Sequence, residues 1–72
     1  MKIKVALVEK EECINNDSTS VGLSFYVTND AENKATFSHW PQGTFKLYAL
    51  TPEAAAGFEV GKKYFVDITP AS

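Results

Sequence analysis

Arginine is absent from this 72-residue chain, although seven lysines are present. That absence counts against sequence-specific reading of duplex DNA, where arginine is the favoured bidentate donor to bases. The net charge of -2 points the same way, because duplex-binding surfaces are expected to be basic. Cys13 is the single cysteine, which excludes an internal disulfide and a multi-cysteine zinc site. A lone thiol suits a reducing compartment. His39 is the single histidine, and no Gly-x-Ser-x-Gly elbow accompanies it. A Cys13–His39 pair would need the first loop to fold beside the third expected strand. One histidine, one cysteine and scattered carboxylates give no metal-ligand spacing. The glycines do not form a phosphate-cradling loop, since Gly57 and Gly61 stand where a helix stop and a turn need them. No apolar run approaches the length that spans a bilayer. The start, Met1-Lys2-Ile3-Lys4, alternates and lacks the apolar core of a signal peptide. The expectation is a soluble cytoplasmic protein, one domain over residues 1–72, with no catalytic residues, cofactor or metal.

What is present is strand alternation with turn punctuation. Ile3, Val5 and Leu7 share one face of a first strand over Lys2–Lys10, with Lys2, Lys4 and Ala6 on the other. Glu9-Lys10-Glu11-Glu12 reads as its solvated end. Asn15 to Ser20 is a polar loop of turn formers. Val21 to Thr28 is a second strand, with Val21, Leu23, Phe25 and Val27 facing inward. Asn29 to Lys34 is expected as a hairpin turn and Ala35 to His39 as a short third strand, broken by Pro41-Gln42-Gly43. Thr44 to Leu50 is the fourth strand, with Phe45, Leu47 and Ala49 inward. Thr51 can cap a short helix, with Pro52 in its first turn, Glu53 near its positive end and Gly57 as its stop. Lys63 to Thr69 is the last strand. The fold class is mainly β: about five antiparallel strands in a curled sheet or small barrel, with one short helix before the last strand. A half-open sheet and a sandwich completed by a second copy are the alternatives.

From Thr36 onward the chain carries Phe37-Ser38, Pro41-Gln42-Gly43, Thr51-Pro52-Glu53-Ala54-Ala55, Phe58, Gly61-Lys62 and Tyr64-Phe65-Val66-Asp67-Ile68-Thr69-Pro70-Ala71. In these residues it resembles a group of short, mostly uncharacterised accessory proteins of tailed bacteriophages. The N-terminal half shares only their strand-and-turn character. The group's usual Thr-Pro-Ser-Gly turn stands here as Trp40-Pro41-Gln42-Gly43, with a large aromatic in place of a small residue. The resemblance implies a phage product acting in the host cytoplasm, and it carries no catalytic residue with it.

The strand phases place Ser24, Tyr26 and Thr28, then Thr36, Ser38 and Trp40, then Lys46 and Tyr48 on the face away from the core. Lys34 and His39 fall at its margin. Aromatics, hydroxyls and lysines together suit a stacked base and its phosphates. The candidate ligand-binding residues are Tyr26, Trp40, Lys46 and Tyr48, with Lys34, Ser38 and His39 in support. The same face is also compatible with a dimer interface or with plain surface, since Tyr, Thr and Trp favour strands for any purpose. Three functions follow as expectations. The first is a non-enzymatic phage-type protein that sequesters a small nucleotide, such as a host immune signal. The second is a single-stranded nucleic-acid binder. The third is a structural or host-protein-binding module. Self-association into a dimer or higher oligomer is compatible with each.

Overall fold

The alternation at residues 2–7 opens a long strand in the computed structural model, which describes residues 1–71. Ser72, the last residue of the expected domain, lies outside the described residues. The elements run β1 (Lys2–Asn15), β2 (Ser18–Val27), α1 (Ala31–Lys34), β3 (Thr44–Leu50), α2 (Pro52–Ala55) and β4 (Lys63–Asp67). The strands form one antiparallel sheet in the order β3-β2-β1-β4. The sheet curls without closing, so β3 and β4 are both edges. The expected arrangement of about five strands and one helix is thus corrected, among the described residues, to four strands and two one-turn helices, and the barrel alternative to an open sheet.

The β1–β2 hairpin closes more tightly than the expected polar loop. Asn16 and Asp17 both take positive φ, 47° and 68°, the two-residue turn whose twist matches the flanking strands. Asn and Asp tolerate that region. The polar segment Asn15–Ser20 is therefore mostly strand, not loop. A bulge at Val8 shifts the register between Leu7 and Glu9. Beyond it the phase of β1 inverts: Lys10 lies across from Leu23 on the core side, while Glu9 and Glu11 lie across from Ser24 and Gly22 on the other.

The expected third strand, Ala35 to His39, does not form. Ala31–Lys34 is one helical turn, and Ala35–Gly43 is a loop. The cause is Asn33, which is fully buried. Its Oδ1 accepts from the Lys4 amide at 2.8 Å, and its Nδ2 donates to the Lys4 carbonyl at 2.8 Å and the Thr28 carbonyl at 2.7 Å. Where β2 leaves the sheet, this side-chain amide takes over its side of the β1 ladder. Thr36 and Phe37 both donate backbone amides to the Asn33 carbonyl, which holds the chain in a tight loop and denies it strand pairing.

Five apolar side chains of β1 and β2 form the buried core with Ala55: Val5, Leu7, Val21, Leu23 and Phe25. Phe25 is its hub. Its ring lies 5.6 Å from Phe45 and 6.1 Å from both Phe58 and Tyr64, the last two edge-on. Helix α2 is capped as expected, with Thr51 Oγ1 accepting from the Ala54 amide at 3.2 Å. Its end differs from expectation. Ala56 closes it in right-handed geometry, and the Lys10 ammonium donates to the carbonyls of Ala55 and Phe58, both at 3.0 Å. Gly61, at φ 94°, lets the chain turn so that its amide meets the Leu7 carbonyl at 2.8 Å. The result is thin: 45 × 32 × 17 Å, with a radius of gyration of 14.0 Å. A compact chain of this length would have about 11 Å.

Asp30 joins α1 to the strands. Its carboxylate lies 2.9 Å from the Lys63 ammonium and 3.7 Å from that of Lys4, and it accepts from Thr28 Oγ1 at 2.9 Å. The Lys63 bond, then the Thr28 bond, hold the Asp30 carboxyl below its ordinary range. A carboxyl with a lowered folded pKa contributes stability that is complete above the unfolded-chain value. That contribution is lost as pH falls through the lowered one. Asp30→Asn is therefore expected to flatten the decline of stability below about pH 4. Urea midpoints across an acid series check this; an unchanged acid decline in the variant would contradict it.

Candidate functional site

Six of the seven candidate residues separate into two places, and the seventh stands apart. Trp40, His39, Ser38 and Lys34 come together with Asn29, Phe37 and Pro41 around an open recess of about 530 Å³. Lys46 and Tyr48 line a second depression of about 430 Å³ on the outer sheet face. Tyr26 lines neither: it lies on that face across from Thr44, 54% exposed. Thr28, expected outward, is turned inward to Lys4 and Asp30. Trp40 and Ser38 sit on the loop that replaced the expected third strand.

The recess is built by the loop's two tethers. At its start, Asn33 anchors Thr36 and Phe37. At its end, the Val27 amide donates to the Gly43 carbonyl at 3.0 Å. Gly43 has φ 148°, and a Cβ there would press on Val27 at 3.4 Å. Between these tethers Phe37 and Pro41 are half-buried, while Trp40 is 72% exposed. The ring is thus displayed on a pinned loop. Lys34, at the end of α1, makes no ion pair among the described residues. An indole face, an ammonium, an imidazole and a hydroxyl around one space can stack an aromatic ring and meet an anionic group.

The second depression runs along the strands. Ser20, Gly22 and Ser24 of β2 form its floor. Glu9, Glu11 and Cys13 of β1 form one wall, and Lys46, Tyr48 and Ala49 of β3 the other. Its β1 wall was invisible to strict alternation, because the Val8 bulge turns Glu9, Glu11 and Cys13 to this side. The adjacent apolar pair Leu7-Val8 was the one signal of that break. A second bulge lies in β3, where the register shifts opposite Gly22 and Ala49 takes φ 59°. Ala49, expected inward, faces this groove instead. Tyr48 is 74% exposed, and a Cβ on Gly22 would meet it at 3.8 Å. The carboxylates opposite Lys46 make this groove a poor host for a phosphate.

At the other end of the outer face, Lys2 and Lys4 lie over the Phe65 ring at 4.9 and 5.8 Å. Lys4 also meets Glu32 at 3.2 Å. The Glu32 carboxyl is held below its ordinary range by its own backbone amide and then by Lys4. Among the described residues no group of three His, Cys, Asp or Glu could hold a metal ion. Among the same residues no helix is long and apolar enough to cross a membrane. In comparisons with known proteins, no family model, curated protein or solved structure matches this chain.

Proposed function

We propose that this chain is a non-enzymatic binding protein that holds a small nucleotide against Trp40. One observation carries the reading: a largely exposed indole on a doubly tethered loop, in one recess with Lys34, Ser38 and His39. Trp40 stacks the base, Lys34 pairs with a phosphate, and the Ser38 and His39 side chains select among donors and acceptors. Lys46 and Tyr48 leave the nucleotide site, because Glu9 and Glu11 face them across their groove. In the setting implied by the resemblance to tailed-phage accessory proteins, capture without turnover would deplete a host nucleotide immune signal in the host cytoplasm.

Trp40 is the single tryptophan, so its emission reports on the recess directly. A panel of linear and cyclic nucleotides is expected to include a member that quenches this emission and gives heat on titration. Trp40→Ala is expected to weaken that binding roughly 10- to 100-fold, the equivalent of one stacked base. Neither quenching nor heat from any member would end the proposal.

The three exposed rings of the outer face, Tyr26, Tyr48 and Phe65, favour a second reading, sequence-tolerant binding of single-stranded nucleic acid. Salt separates the two. Strand binding falls steeply as salt rises, through counterion release, whereas one small nucleotide responds less.

A further inference from the structure

We infer that the β3 edge is a self-recognition surface, on which a second copy of this chain adds an antiparallel β3 across a two-fold axis at Leu47. This edge lies apart from the Trp40 recess, and its free backbone groups define it. Val27 donates to Gly43, and the register pairs Phe25 with Phe45 and Leu23 with Leu47. Hydrogen-bonded positions alternate in an antiparallel ladder, so Gly43, Phe45 and Leu47 bond to β2. The amides and carbonyls of Thr44, Lys46 and Tyr48 therefore point to the open edge.

The other free edges carry charges that oppose self-pairing. Beyond its pairing with β4, β1 presents Glu9, Glu11 and Glu12 within four residues. β4 is five residues long and carries Lys63 and Asp67. Such charges guard an edge against addition. β3 has one charge, Lys46. A copy of β3 must pair with the Thr44, Lys46 and Tyr48 positions of the first. It must also keep both cores on one side of the joined sheet. Registering Lys46 on itself sets like charges opposite each other, which is unfavourable. The register centred on Leu47 sets each Lys46 across from the partner's Tyr48, a cation against a ring, twice by symmetry. It also sets Leu47 against Leu47 on the core side, beside the partly exposed Phe45. The core of the thin sheet then continues from one copy into the next, and each outer-face groove gains the partner's Lys46 beside its Tyr48.

The contact is short, because the bulge at Ala49 ends the flat stretch of β3. A concentration-dependent dimer is the expected state. Sedimentation of the full chain over a micromolar to near-millimolar series tests it. Lys46→Pro removes an edge donor without touching the ladder to β2 and is expected to give a monomer with an unchanged circular dichroism spectrum. Tyr48→Lys is expected to raise the dissociation constant roughly tenfold or more by facing lysines together. Adding Lys46→Glu to it is expected to restore the dimer through Glu–Lys pairs. A wild-type monomer throughout the series, or a dimer indifferent to Lys46→Pro, would overturn the assignment. So would a failure of the charge pair to restore association.

Discussion

Asn33→Ala is expected to lower the unfolding free energy by about 3 kcal/mol, far more than the truncation of one polar side chain on a short helix would suggest. The wild-type amide satisfies both backbone groups of Lys4 and the carbonyl of Thr28, all within 2.8 Å. Each such bond contributes about 1 kcal/mol net, and the Lys4 amide left without its partner adds its own cost. A chain of this length has roughly 4–10 kcal/mol in total, so the loss is a large share. Asn33→Asp is expected to cost more at neutral pH. Its carboxylate would face the Lys4 and Thr28 carbonyls, where the amide now donates. Urea unfolding followed by circular dichroism measures both variants, and a shift under about 0.5 kcal/mol for either would refute the role assigned to Asn33. Because Thr36 and Phe37 hang from the Asn33 carbonyl, these variants should also move Trp40, visible in its emission before global unfolding.

Phe25→Ala should be the most damaging apolar truncation, with an expected loss of about 3–5 kcal/mol. The ring touches three others, and each belongs to a different part of the chain: Phe45 on β3, Phe58 after α2 and Tyr64 on β4. Removing it opens a cavity that a thin sheet cannot refill from a second layer. Phe25→Leu keeps most of the apolar volume and is expected to lose roughly half as much. Phe45→Ala serves as the control, since Phe45 is partly exposed and should lose clearly less. Equal losses for Phe25→Ala and Phe45→Ala would contradict the placement of Phe25 at the hub.

Much of this arrangement was legible in the residues, and the failures share a cause. Period-two patterning located β2 and the inward set Val21, Leu23 and Phe25, because burial on one side imposes alternation. Thr51-Pro52-Glu53 located α2, because capping is local chemistry. The missed features depend on long-range partners. Nothing near Asn33 in the chain announces that its amide will meet Lys4, 29 positions away. Strict alternation also could not foresee the bulges at Val8 and Ala49, each of which turns the following side chains over. For the candidate site, the neighbours His39 and Trp40 and the nearby Lys34 and Ser38 do meet in one recess. Placing Ser38 and Trp40 on a third strand, on one sheet face with Lys46 and Tyr48 of the next and with Lys34 and His39 at its margin, failed, because α1 and its loop carry them off the sheet.

The β1–β2 hairpin extends well past the short helix that covers its root. Toward the turn, Ile14 stands exposed on the side that α2 shields further down. Cover therefore falls away along the ribbon's length, and resistance to opening falls with it. The molecule should loosen from its tip inward, peeling in steps and leaving the Phe25 knot until last.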